Sequence, residues 1–185
     1  MGPMQQSVDD RITIAEWERD EMSNYHLAQL NIARLLAPLD SPQLADFVAN
    51  LDRVNALAES APGFVWRLQT DEGDATALRP LGEDTIVNMS VWEDVAALNQ
   101  FVYRSAHVDI MRRRKEWFER MAEAYAVLWW IPKAHMPTID EALGRLEHLR
   151  AHGASQRAFT FRQPFAAPDE SDAADPSTLL DECPT

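Results

Sequence analysis

Between residues 25 and 165 the apolar positions change period several times, and each change marks an element. In YHLAQLNIARL, residues 25–35, Ala28, Leu30 and Ile32 alternate with Gln29, Asn31 and Ala33, the two-residue period of a strand. Ser41 and Pro42 read as a helix cap and first helical position, and Leu44, Phe47, Val48, Leu51 and Val54 follow at helical spacing to about residue 60. Pro62 and Gly63 stop that helix. FVWRLQ, residues 64–69, and TIVNMSVW, residues 85–92, predict a second and a third strand. Ser90 and Glu93 have the spacing of a capping box, ahead of a helix carrying Val95, Leu98, Phe101 and Val102. Residues 107–121 return to a helical pattern, with Met111, Phe118 and Met121 on one side. YAVLWWI, residues 125–131, is a fourth strand closed by Pro132. Thr138 with Glu141 caps a further helix, which Gly153 ends, and AFTFRQPF, residues 158–165, predicts a fifth strand.

The order β-α-β-β-α-β, with an additional C-terminal helix and strand, predicts an α+β, ferredoxin-like domain: one antiparallel sheet with its helices on one face. The fourth strand is apolar on both sides, so the second sheet face needs a cover. A second copy packed sheet to sheet is the simplest one, making a homodimer; the C-terminal strand folded back is the competing cover.

Composition narrows the function classes. The 185 residues are 46% hydrophobic and 25% charged, values of an ordinary soluble domain, and no apolar run reaches the ~20 residues of a membrane span. The net charge of −13 is unevenly spread. Residues 1–24 hold six acids and two arginines, and residues 166–185 six acids and no base. The sequence thus divides into a weakly ordered extension (1–24), a nearly balanced domain (25–165) and an acidic, proline-containing disordered tail (166–185). Neither part has the basic footprint of a nucleic-acid binder. Cys183 is the single cysteine, which excludes a disulfide framework, and the N-terminus lacks the apolar block of a secretory signal. A cytoplasmic protein with no nucleic-acid or membrane partner is expected.

No phosphate-binding glycine loop, zinc-protease helix or nucleophile elbow is present. What stands out is polar residues set on apolar elements: Gln29 and Asn31 on the strand face opposite the one assigned to the helices, Arg67 between Trp66 and Leu68, and Asn88 between Val87 and Met89. Each buried amide or guanidinium needs partners, because leaving one unpaired costs ~1–3 kcal/mol. A hydrogen-bonding network or a subunit interface explains any one of them; together they outline a pocket for a small molecule. His107 shares a helical face with Met111, Arg114, Phe118 and Met121, at the edge of an apolar stripe. It is the candidate for proton transfer, the alternative being a histidine bonded to backbone at a helix start. Apart from His148 and His152, no two histidines have metal-ligand spacing, so no metal is expected; a single axial histidine for haem stays open. Trp66, Trp117 and Phe118 supply aromatic surface, either as core or as a stacking wall for a flat ligand.

Six stretches carry a family resemblance: HLAQLNIARL from His26, PGFVWRLQ from Pro62, NMSVWED from Asn88, FVYRSAHVDIMRRRKEWF from Phe101, LWWIPKAHMPTIDEALGRL from Leu128 and AFTF from Ala158. Together they cover nearly all of 25–165 and resemble the DUF3291 family, a domain of unknown function related to antibiotic-biosynthesis-type monooxygenases of the dimeric α+β barrel superfamily. That superfamily includes cofactor-free oxygenases of polycyclic aromatic substrates and haem-degrading or haem-binding proteins. Some of them use an Asn on the first strand, a Trp, and a His on the second major helix. The resemblance implies comparable parts for Asn31, Trp66 and His107. The expected activity is monooxygenase-type oxidation of a small aromatic or polyketide-like molecule, held by Gln29, Arg67, Asn88, Arg114, Trp117 and Phe118, with no cofactor. Haem on His107, or a non-catalytic binding or dimerisation module, are the alternatives.

Overall fold

A computed structural model describes residues 23–104 and 112–168, and residues 25–166 form one compact unit. Its strands are β1 (Tyr25–Arg34), β2 (Phe64–Arg67), β3 (Thr85–Trp92) and β4 (Ala126–Pro132). Its helices are α1 (Ala45–Glu59), α2 (Val95–Arg104) and α3 (Ile139–His152), with a short 3-10 turn at Arg114–Glu116. The sheet order is β2-β3-β1-β4 with every neighbouring pair antiparallel, the split βαβ arrangement. The central pair is in continuous register, from Leu27 opposite Trp92 to Arg34 opposite Thr85. Among the described residues no helix is long and apolar enough to cross a membrane.

The two faces of the sheet are covered differently from the expectation. Ala28, Leu30 and Ile32 of β1, Val87, Met89 and Val91 of β3, and Val127, Trp129 and Ile131 of β4 form one buried cluster with Ala142, Leu146 and Leu149 of α3, which lies against β4 and β1. The cover expected from a second copy therefore comes from α3 of the same chain, whose buried positions recur at the spacing of one helical stripe. The other face carries α1 and α2, through Ala58, Leu98 and Phe101 packed on Leu27, Trp92 and Leu128. Gln29 and Asn31 share this face with Leu27, so they lie under the α1–α2 layer and not, as expected, on the side away from it.

Helix ends show where local chemistry prevailed. Thr138 Oγ1 accepts from the Glu141 backbone N–H at 3.2 Å, and Gly153 closes α3 at φ 78°, both as the sequence predicts. The Glu141 carboxylate does not complete a capping box. It accepts from Trp129 Nε1 at 2.9 Å and meets His135 Nε2 at 2.6 Å. The box expected at Ser90 does not form either: Ser90 stays in β3, and Asp94 Oδ1 caps α2 by accepting from the Ala97 N–H at 2.6 Å. Gly63 adopts φ +76°, and a Cβ there would stand 2.5 Å from Ala97 Cβ, so the turn into β2 lies tight on α2.

Two further expectations are corrected. The helix predicted to run to residue 121 is over by Trp117, because Phe118 turns aside to bridge Leu35. The fifth strand reduces to isolated bridges. Phe159 exchanges backbone hydrogen bonds with Leu128 at 2.8 and 2.9 Å, and the Phe165 carbonyl accepts from Trp130 Nε1. This strap closes the free edge of β4.

Candidate functional site

Cross-strand partners point to the same side of a sheet, so the register sorts the α1–α2 face into rows. Leu27, Trp92 and Phe64 form an apolar row at one end. Next come Gln29, Ser90 and Arg67, then Asn31 and Asn88, and finally Ala33 with Ile86. A polar band two rows deep thus crosses the central strands between apolar ends. Leu98 and Phe101 of α2 pack on the first end, and Leu44, Phe47 and Trp117 on the other.

The band is hydrogen-bonded in sequence. Trp92 Nε1 donates to Ser90 Oγ at 2.9 Å, Ser90 donates to Gln29 Oε1 at 3.0 Å, and Gln29 Nε2 donates to Asn31 Oδ1 at 2.8 Å. Gln29 and Ser90 are buried, Asn31 is half-buried and Asn88 is exposed. Exposure therefore rises along the chain of bonds, and the face opens at Asn31 and Asn88. Beside it, Arg67 Nη2 lies 2.7 Å from Glu59 Oε1, an ion pair that leaves the row formally neutral. What the band presents to a ligand is amide, not charge.

Of the residues expected to form the site, Gln29, Asn31, Asn88 and Arg67 are brought onto this one face. Trp66, opposite Val91, lies on the α3 side, so the sheet itself separates it from Asn31. Trp117 is 1% exposed and tilted against Phe47 at 5.7 Å, which makes it core and not a stacking wall. Phe118 is half-buried beside it, edge-on to Phe47 at 5.0 Å. Arg114 places its guanidinium 4.4 Å from the ring centre of Tyr125. His107 lies outside the described residues.

Ser90 and Trp92 are the members that sequence reasoning missed. Their signal was the two-residue period of Asn88, Ser90 and Trp92, set against Val87, Met89 and Val91. It was overridden by the resemblance of Ser90 and Glu93 to a helix start.

Titration in the described region is shaped away from the band. Burial lowers the His26 imidazole below its usual range, with Lys133 adding to the effect and Glu93 opposing it. Hydrogen bonding from Arg113 lowers the Glu116 carboxyl, while Arg113 also bonds Asp46 at 2.9 Å and so ties α1 to the 3-10 turn. Among the described residues, no three His, Cys, Asp or Glu side chains converge as metal ligands.

Comparison with known proteins follows from this geometry. A family model described as "Domain of unknown function (DUF3291)" matches residues 26–175, past the boundary expected at 165. A protein of unknown function from Nitrosomonas europaea, NE2512, is similar at 13% identity over 62% of this chain and 95% of its own, with a TM-score of 0.40. SnoaB, a cofactor-independent oxygenase from Streptomyces nogalater, is similar at 14% identity over 63% of this chain and 98% of its own, with a TM-score of 0.39. Among curated proteins, none matches.

Proposed function

The chain belongs to the DUF3291 family, and on that premise we propose that it binds a small aromatic or polyketide-like molecule at Asn31 and Asn88 and oxidises it as a monooxygenase-type enzyme. The observation that supports this reading is the amide band, set on the two central strands and open at one place. Carboxamides there meet an oxygen of the ligand, and the apolar rows on either side suit a flat hydrocarbon body. On this reading the substrate is a hydroxyaromatic with an acidic C–H, which can release a proton and spread the negative charge onto its oxygen. Asn31 stabilises that charge by donating to it. The carbanion combines with dioxygen and a proton to give a hydroperoxide, which loses water and leaves a carbonyl; one dioxygen and one CH2 become one C=O and one water. The electrons come from the substrate. In this scheme His107 is the proton carrier.

The test joins two measurements on the full chain. Native mass spectrometry of freshly purified protein reports any retained molecule and the number of copies. An oxygen electrode then records uptake with an anthrone as substrate. Uptake that matches carbonyl formation one to one, and falls about a hundredfold in Asn31→Ala, supports the reading. Saturable anthrone binding without uptake assigns a binding protein, and no binding at all removes the site.

A further inference from the structure

The order of donors and acceptors in the band is set by an indole N–H and by the single hydrogen of a buried serine. An indole nitrogen can only donate. Trp92 is fully buried, stacked on Phe101 at 5.1 Å and edge-on to Phe64 at 5.4 Å, so its N–H is aimed at Ser90 Oγ by the core itself. Ser90 Oγ accepts from Trp92 and has one hydrogen to give, and in the structure that hydrogen goes to the Gln29 carbonyl. The Gln29 amide nitrogen then faces Asn31, and Asn31 turns its carbonyl inward to accept from it. Flipping one carboxamide alone would set oxygen against oxygen or nitrogen against nitrogen, and flipping both together would leave the buried Ser90 hydroxyl hydrogen without the acceptor it has among the described residues. The outer group of Asn31 is therefore its NH2, and among the described residues nothing accepts from it.

We propose that Trp92, Ser90 and Gln29 act as positioning residues that lock Asn31 as a hydrogen-bond donor, so that the site selects ligands bearing a carbonyl, enolate or phenolate oxygen and rejects flat ligands that offer only an N–H. This deepens the binding reading above and rests on it for the ligand, but the orientation itself is a property of the free protein. It also explains a polar chain in a layer that is otherwise apolar. A half-satisfied network costs free energy, whereas this one is bonded at each link and turns the Asn31 NH2 to the surface.

Neutron diffraction from deuterated crystals of the full chain reads the orientation directly. The expected map has the Ser90 deuteron toward Gln29, a Gln29 deuteron toward Asn31, and two deuterons on the outward nitrogen of Asn31. An outward Asn31 oxygen overturns the proposal whatever binds. Selectivity is read with three flat tricycles of one shape: fluorenone, which only accepts; carbazole, which donates; and fluorene, which does neither. NMR titration of the Asn31 and Asn88 side-chain amides should show fluorenone binding about tenfold or more tighter than carbazole, with fluorene between them or weaker. Trp92→Phe removes the N–H that sets the chain and should bring the ratio to within about threefold of unity, an effect that simple loss of packing would not produce because the tricycles share one shape. Should Trp92→Phe fail to fold, Ser90→Ala cuts the same chain one link later. Asn31→Asp replaces the donor with an acceptor and should reverse the preference. Carbazole binding as tightly as fluorenone at these amides overturns the selectivity. If no tricycle shifts Asn31 or Asn88, the binding reading fails, while the neutron map still decides the orientation.

Discussion

Two faces of one sheet are built from alternate residues of the same strands, and they serve different ends. On the α3 side, the nine β1, β3 and β4 residues of the buried cluster, from Ala28 to Ile131, are apolar and at most 4% exposed. On the α1–α2 side, the same strands carry Gln29, Asn31, Ser90 and Asn88 between two apolar ends. Shifting the register by one residue would exchange the two sets, so the dry face also fixes where the wet one lies. Buried apolar clusters stand on both sides, but only the α1–α2 side holds a hydrogen-bonded polar band between them.

The comparison breaks most strongly on the dry side. Leu146→Ala, at a site 1% exposed, should cost ~2–5 kcal/mol in denaturant unfolding while leaving any ligand affinity of the remaining folded protein unchanged. Ser90→Ala comes next. It leaves Trp92 Nε1 and Gln29 Oε1 buried without their partner, for ~1–3 kcal/mol, and unlike Leu146→Ala it should also alter binding. At the open end, Asn88→Ala should change stability by no more than about 0.5 kcal/mol yet weaken ligand binding, since its side chain is exposed. A loss of stability at Asn88 as large as that at Ser90 would mean that the band is structural throughout.

The smallest expected effect sharpens the dry side by pH. His26 alternates with Leu27 and so lies at the margin of the α3 face, where burial holds its imidazole below the ordinary value of about 6.5. The unfolded chain therefore binds the proton more readily. This contribution to stability is complete above about pH 6.5 and declines as the pH falls through that value, levelling off below the folded-state pKa. The difference in urea midpoint between pH 8 and pH 5.5 should be smaller in His26→Gln than in the unsubstituted chain.

Much of the frame was legible in the sequence because local rules decided it. β3 appears with the predicted bounds, Thr85–Trp92, since Val87, Met89 and Val91 alternate with Asn88 and Ser90 at its centre, and Thr138 and Gly153 mark α3 by their own backbone chemistry. What local rules could not assign was the side. Polar Gln29 and Asn31 looked as though they faced away from the helices, because burial of an amide becomes favourable only once Ser90, sixty-one residues from Gln29, supplies the partner. Trp66 looked like a companion of Asn31 by residue type, yet the pairing of Trp66 with Val91 sends it through to the other face. The packing of α3 escapes local rules for a similar reason: its stripe is visible in the sequence, but where it docks is a matter of tertiary geometry.

The position of α3 in the chain has a consequence for biosynthesis. All four strands leave the ribosome before the helix that shields them, so once Pro132 has emerged the sheet can form with part of its hydrocarbon surface still waiting for α3. The connection from β4 to α3 is only a few residues long, so the shield follows its target almost at once, and the interval in which another nascent chain could stick there is brief.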